Sequence, residues 1–211
     1  ANPGLNLTVA TDKKTYYPRE NVKVDGTFQN DSSPISDALV AIQVIEPDST
    51  LFLFRTVTTG TIPQFTPTVR VKNISLLTGE AGSSTDTFHI PIPFPPQLFA
   101  YFLVTLESYE EVNVTFALTV FDENMVCLGS DYSVHRPLPS GNHSFTYRTP
   151  VNPWTSTGTA TACANLYTNY PYLGGYPLSP ENSTTFQIVR GTETTSGGNK
   201  ATKVQTTGAN G

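Results

Sequence analysis

The chain is predicted to be all-β, built as two β-sandwiches in tandem with an extended polar C-terminal tail. Three observations predict it. Apolar and polar residues alternate with period two in run after run, from Leu5, Leu7 and Val9 to the stretch Thr185 to Val189. Clusters of Gly, Pro, Asn, Asp and Ser punctuate those runs, which is turn chemistry. No segment of ordinary helix length shows a 3.6-residue period. At 211 residues the chain is long enough for two sandwiches of about 100 residues each.

In order, Leu5, Leu7 and Val9 alternate with Asn6 and Thr8, and the chain turns through Tyr17-Pro18-Arg19-Glu20 into Val22 and Val24. After the polar loop Asn30 to Pro34, Ala38 to Ile45 is apolar on both faces, as a central strand would be. Leu51 to Val57 reads as its neighbour, and Val69 to Leu77 as a further strand. Phe88, Ile90, Ile92 and Phe94 alternate with His89, Pro91 and Pro93, and those prolines confine the stretch to a sheet edge or an extended crossing. Ala100 to Leu106 reads as buried. The acidic run Glu107-Ser108-Tyr109-Glu110-Glu111 then marks the expected domain junction. Val112, Val114, Phe116, Leu118 and Val120 form the longest clean alternation, opposite Asn113, Thr115, Ala117 and Thr119, and should anchor the second core. Strands around Cys127, Tyr132 and Val134, Phe145 to Tyr147, Thr159 to Leu166 and Thr185 to Val189 follow, with a Tyr/Pro/Gly loop from Tyr167 to Pro180. The expected domains are therefore 1–107 and 108–190, with 191–211 a polar tail of Thr, Gly, Ser, Asn and Lys.

The pattern Asp12-Lys13-x-x-Tyr16-x-Pro18-x-Glu20-x-Val22 resembles the opening of the macroglobulin-type, immunoglobulin-like β-sandwiches of secreted and cell-surface proteins. Arg19 stands where those domains usually have Gly. The resemblance covers roughly residues 5 to 60 and implies an immunoglobulin-like fold for the first sandwich. Phe145 to Leu166, with Pro150 and Gly158, resembles the late strands of surface immunoglobulin-like domains and implies the same for the second. Activity is left open, because such sandwiches host many functions.

Charged residues are only 14%, the net charge is -5 and the pI about 5.1. There is no basic field for a phosphate backbone or an anionic membrane surface, so neither nucleic acid nor membrane is an expected partner. No apolar run reaches the roughly 20 residues of a membrane-spanning helix, and the Ala1-Asn-Pro-Gly start is what a chain with its export segment removed would show. An extracellular or cell-surface location follows as the expectation. Cys127 and Cys163 are expected to form a disulfide of about 3 kcal/mol in the second domain, the alternative being a buried free pair. Asn-x-Ser/Thr sequons stand at Asn6, Asn30, Asn73, Asn113, Asn142 and Asn182. Several, at least three, are expected to carry N-glycans, which would supply the hydrophilic surface that charge does not.

No cofactor, metal site or catalysis is expected. His89, His135 and His143 are scattered, the pairs Glu110/Glu111 and Asp122/Glu123 read as solvated edges, and no nucleophile elbow or phosphate loop occurs. Tyr167, Tyr170, Tyr172 and Tyr176, with Trp154 nearby in sequence, either brace a long loop or stack on sugar rings. Sandwich domains, dense sequons, low charge and a polar tail resemble the glycosylated thread-like pili of thermoacidophilic archaea. That resemblance implies a structural subunit polymerising head to tail by strand donation, with Leu5, Leu7 and Val9 as donor residues. The same residues alternatively form the first strand of their own domain. The other functional reading is a secreted or surface adhesin or carbohydrate-binding module, directed at surface carbohydrates or other cells.

Overall fold

The computed structural model describes residues 4–17, 20–46, 48, 51–60 and 66–191. The strands are β1 (Leu5–Thr11), β2 (Val24–Asn30), β3 (Ser33–Pro34), β4 (Ala38–Ile45), β5 (Leu51–Thr59), β6 (Val69–Leu77) and β7 (Ser84–Thr85). There follow β8 (Thr87–Ile90), β9 (Phe99–Ser108), β10 (Val112–Phe121), β11 (Cys127–Leu138), β12 (Gly141–Pro150), β13 (Gly158–Tyr167) and β14 (Asn182–Arg190). One 3-10 turn, Pro171–Leu173, is the sole helical element among the described residues. Pro18, Arg19 and the tail beyond Gly191 lie outside them.

The all-β expectation holds, but the partition into 1–107 and 108–190 does not. One sandwich spans β6 to β14. Its five-stranded sheet runs β11-β10-β13-β14-β8 and its four-stranded sheet β12-β9-β6-β7. Val69, Val71, Phe102 and Leu106 share a single buried core with Phe116, Leu118, Leu166 and Phe186, so position 107 falls inside one domain. The acidic run from Glu107 to Glu111 is a crossing from one sheet of that sandwich to the other. Glu107 is engaged there, accepting from Arg70 Nε at 2.8 Å and from the Tyr109 hydroxyl at 2.9 Å.

The core follows from the alternation. Val114, Phe116, Leu118 and Val120 point inward and pair along β13 with smaller or equal partners: Phe116 opposite Leu166, Leu118 opposite Ala164, Val120 opposite Ala162. Phe116 stacks on Tyr147 of the facing sheet at 4.1 Å, and Phe102 meets Phe186 edge-on at 5.4 Å, geometries that add to burial. Proline placement agrees with strand position. β8 is the edge strand, parallel to β14, and stops before Pro91; Pro137 lies in β11, the opposite edge.

The other face of β10 departs from its sequence pattern. Thr115, Ala117 and Thr119 are fully buried, because the β4–β5 hairpin lies across the outside of the five-stranded sheet as a third layer. Phe54 of β5 is its anchor, completely buried and 5.4 Å from the ring of Tyr167. Beside it Thr56 Oγ1 donates to the Tyr167 hydroxyl at 3.1 Å, and Arg55 holds Glu181 through Nε and Nη2, both at 2.7 Å. An isolated two-stranded hairpin is marginal in water, so these contacts stabilise β4–β5. Outside this layer lies a small sheet ordered β1-β2-β3, in which no residue is fully buried.

The loop that carries the macroglobulin-like pattern is locked by that pattern's own side chains. Asp12 accepts from the Tyr16 hydroxyl at 2.6 Å and from the Lys23 backbone N–H at 3.1 Å. Lys13 pairs with Glu20, whose other oxygen accepts from Tyr17 N–H at 3.0 Å. The Tyr16 hydrogen bond lowers the pKa of Asp12 and the Lys13 hydrogen bond lowers that of Glu20. These residues hold a loop and form no site.

Candidate functional site

The cysteines are separate thiols, contrary to the expected disulfide. Cys127 on β11 stands opposite Phe121, and Cys163 on β13 stands opposite Thr119, so the whole of β10 lies between them. Two strand spacings place their backbones ~10 Å apart, beyond the ~7 Å a disulfide spans. Burial pushes both thiols up, Cys127 to about 11 and Cys163 to about 12, the latter also against the Glu181 carboxylate. Both are neutral thiols at ordinary pH, Cys163 buried and Cys127 part-exposed.

The sequons separate by geometry. A bulge in β6 between Val71 and Asn73 shifts the register, so that Lys72 and Asn73 both face outward while Ile74 returns to the core. Asn142 faces outward from the neighbouring part of the same sheet and accepts from Lys72 Nζ at 3.4 Å. Asn6, Asn30 and Asn113 are also exposed. Asn182 is turned inward at the start of β14. Its Nδ2, the atom a glycan would occupy, donates to Val71 O at 2.8 Å, contrary to its expected place in an outward loop.

The proposed donor residues pair within their own chain: Leu5 opposite Asn30, Leu7 opposite Phe28 and Val9 opposite Gly26. The strand is poorly covered all the same, with Leu7 56% and Val9 73% exposed. Leu7, Val9 and Phe28 face Val40, Ile42 and Val57 of the hairpin layer across an open groove of about 590 Å³. Gly26 contributes no side chain to fill it. A Cβ there would collide with Thr8 O of β1, so the gap is built into the strand pairing.

At one end the groove meets Pro171 and Tyr172. Here the predicted aromatic loop divides. Tyr167 belongs to the core, fully buried, and its hydroxyl is pushed up by that burial. Tyr170 bridges inside and outside: its ring is 5.8 Å from Phe54, 6.1 Å from Tyr132 and 5.4 Å from Tyr172. Tyr172 and Tyr176 are 62% and 63% exposed. Their loop is braced by its own hydrogen bonds, Gly175 N–H to Tyr170 O at 3.0 Å and Thr168 N–H to Tyr176 O at 3.0 Å. Gly174 closes the 3-10 turn at φ 85°, a conformation open to glycine. Gln43 of β4 accepts from Tyr172 N–H at 3.2 Å, tying the loop to the hairpin layer. The result is a stepped tyrosine shelf, Tyr132 to Tyr170 to Tyr172. Tyr132 lies on β11, far from the loop in sequence, and nothing in the alternation singled it out.

Trp154 is not part of this shelf. It precedes β13, whereas Tyr170 follows it, and the strand's length separates them by ~30 Å. The histidines stay apart on β8, β11 and β12, with His143 Nε2 bonded to Pro139 O at 2.8 Å. Among the described residues no group of three or more His, Cys, Asp or Glu side chains could hold a metal ion.

No family model matches the chain, and no curated protein matches it. Among solved structures it is similar to the C-terminal domain of wzt, at 14% identity and a TM-score of 0.43, over 59% of this chain and 75% of that one. It is also similar to a CARDB domain from Pyrococcus furiosus solved with di-metal ions, at 15% identity and a TM-score of 0.34, over 60% of this chain and 96% of that one. The chain's own topology makes it an all-β sandwich with a hairpin layer and a partly covered N-terminal sheet.

Proposed function

We propose that the chain is a non-catalytic surface module of the adhesin or carbohydrate-binding kind, working outside the cell. The observation that supports this reading is the tyrosine shelf. Two tyrosines stand more than half exposed on a loop that is hydrogen-bonded into one conformation. An aromatic ring offers a sugar an apolar face for its C–H groups and a hydroxyl for its O–H groups. A braced loop also loses little freedom on binding. A glycan array probed with the purified chain tests it. Retention on defined glycans, weakened at least about tenfold, or ~1.4 kcal/mol, by Tyr172→Ala, is the expected outcome. A wild-type chain that no glycan retains would refute it.

The open groove favours a second reading, a filament subunit assembled by strand donation. Its apolar walls and the weakly covered β1 are what an exchanged strand requires, since an added strand satisfies both side chains and backbone. In that case β1 leaves its pairing with β2 and enters a neighbour's groove. Electron micrographs of concentrated protein, with and without residues 1 to 10, decide the point: polymers that vanish with the deletion support donation, and monomers under all conditions oppose it.

A further inference from the structure

The chain's single tryptophan stands at a cleft of about 350 Å³ whose walls include Asn21, Asp122, Asn124, Val126 and Ser156. We propose that this cleft is a second saccharide site, taking one neutral hexopyranose ring on the Trp154 face. The proposal rests on the reading of the chain as a saccharide-binding module and adds a site remote from the tyrosine shelf.

Trp154 is 60% exposed, yet its loop is held on every side. Thr155 N–H donates to Asn152 O at 3.1 Å, Asn152 N–H to Thr155 Oγ1 at 3.2 Å, and Arg190 Nη2 to both Pro153 O and Thr155 O at 2.7 Å. Neighbouring Thr155 and Val151 are buried. The backbone that bears the indole is therefore held by a hydrogen-bonded frame, and the ring stands more than half exposed at the cleft.

Asp122 sets the cleft's shape. Only 3% exposed, it accepts from Asn124 and Val126 N–H through Oδ1, both at 3.0 Å, and from Ser156 N–H through Oδ2 at 3.1 Å. One carboxylate thus registers the β10–β11 turn, which bears Asn124, against the loop that bears Trp154 and Ser156. With three N–H groups on it, Asp122 is a positioning residue.

The polar groups left to meet a ligand are amides, a hydroxyl and the neutral thiol of Cys127. Asn124 Nδ2 donates to Ser156 Oγ at 2.8 Å, which leaves the Ser156 proton to donate and the Asn124 carbonyl to accept. Asn21 supplies a second amide. Among the described residues no Lys or Arg lines the cleft, and those residues offer no cationic partner for a phosphate, sulfate or carboxylate. A flat apolar face ringed by neutral donors and acceptors suits a pyranose, and the volume lies within the range of small-ligand sites.

Because Trp154 is the sole tryptophan, its fluorescence reports on this cleft alone. The full chain is titrated with chitotetraose, mannotetraose and cellotetraose while tryptophan emission and acrylamide quenching are followed. The expected result is a saturable emission shift with quenching reduced about twofold. Asn124→Ala combined with Ser156→Ala weakens it about tenfold, and Tyr172→Ala leaves it unchanged. If the chain is retained on a glycan array while Trp154 stays silent to the same glycans, or if Trp154→Phe is retained as well as the wild type, the cleft proposal is overturned and the module reading stands. If no glycan retains the wild-type chain, both fall.

Discussion

Single side chains decide how the layers of this molecule are joined. Glu181 receives Arg55 through two 2.7 Å bonds and Asn165 Nδ2 at 3.0 Å, and its hydrogen bond holds the Arg55 pKa above the ordinary value. Removing one partner of a largely buried pair strands the other. Glu181→Ala should therefore lower stability by about 3 kcal/mol, read in denaturant unfolding; a change under about 0.5 kcal/mol would show the clamp to be superficial. The thiols give a pH prediction. Their folded pKa values, about 11 and about 12, lie above the unfolded value of 9.0. Their contribution is complete below pH 9 and declines as pH rises through 11 to 12, since the unfolded chain releases its protons first. Stability measured from pH 8 to 12 should fall along that window. In unreduced native protein Cys163 should label with a thiol reagent only after unfolding, whereas the part-exposed Cys127 at the cleft wall should label slowly in the folded chain. A mass signature of an intact Cys127–Cys163 bond would contradict the structure. At the sequons, glycopeptide mapping should find Asn73 and Asn142 modified and Asn182 bare. A glycan on Asn182 would mean that its bond to Val71 O does not form.

At the level of elements, the strands were legible because period two is written in their side chains, and partners were not. The run from Val112 to Val120 showed which face enters a core, yet Asn113, Thr115, Ala117 and Thr119 looked like a solvent face. Asn113 is exposed as that pattern suggests, but Thr115, Ala117 and Thr119 are covered by the hairpin of β4 and β5, more than 50 residues earlier, and no local pattern encodes that contact. The acidic run at Glu107 to Glu111 looked like a linker for a similar reason: composition marks a crossing but does not say whether it joins two domains or two sheets of one. Aromatic content singled out the loop from Tyr167 to Pro180, but only the fold separated the buried Tyr167 from the exposed Tyr172 and brought Tyr132 beside Tyr170. The bulge in β6 supplies a test at this scale. Lys72 is the unpaired residue of that bulge, so deleting it would leave Val71, Asn73 and Ile74 opposite consecutive residues of β9, with Asn73 still outward and Ile74 and Leu76 still in the core. The deletion is expected to keep a cooperative thermal transition, and loss of that transition would contradict this register. Lys72→Ser, which keeps the residue count, should cost less than about 1 kcal/mol.

Across the whole molecule, packing quality changes from one end to the other. The sandwich of β6 to β14 holds one continuous buried core, whereas β1, β2 and the hairpin enclose a groove and expose Leu7 and Val9. Polar substitution in the groove should therefore be mild: Val9→Ser is expected to shift stability by less than about 1 kcal/mol, against about 3 kcal/mol or more for Val120→Ser in the buried core. The outward face of the four-stranded sheet carries the exposed sequons Asn73 and Asn142, and the tyrosine shelf and the cleft at Trp154 are the surfaces proposed to meet a saccharide. Hydrogen exchange with the best-retained saccharide tests that division most directly. The account predicts slowed exchange in residues 168 to 176 and 152 to 156, with exchange of β6, β9 and β12 unchanged. Slowing confined to those three strands, or no slowing at all under saturating saccharide, would contradict it.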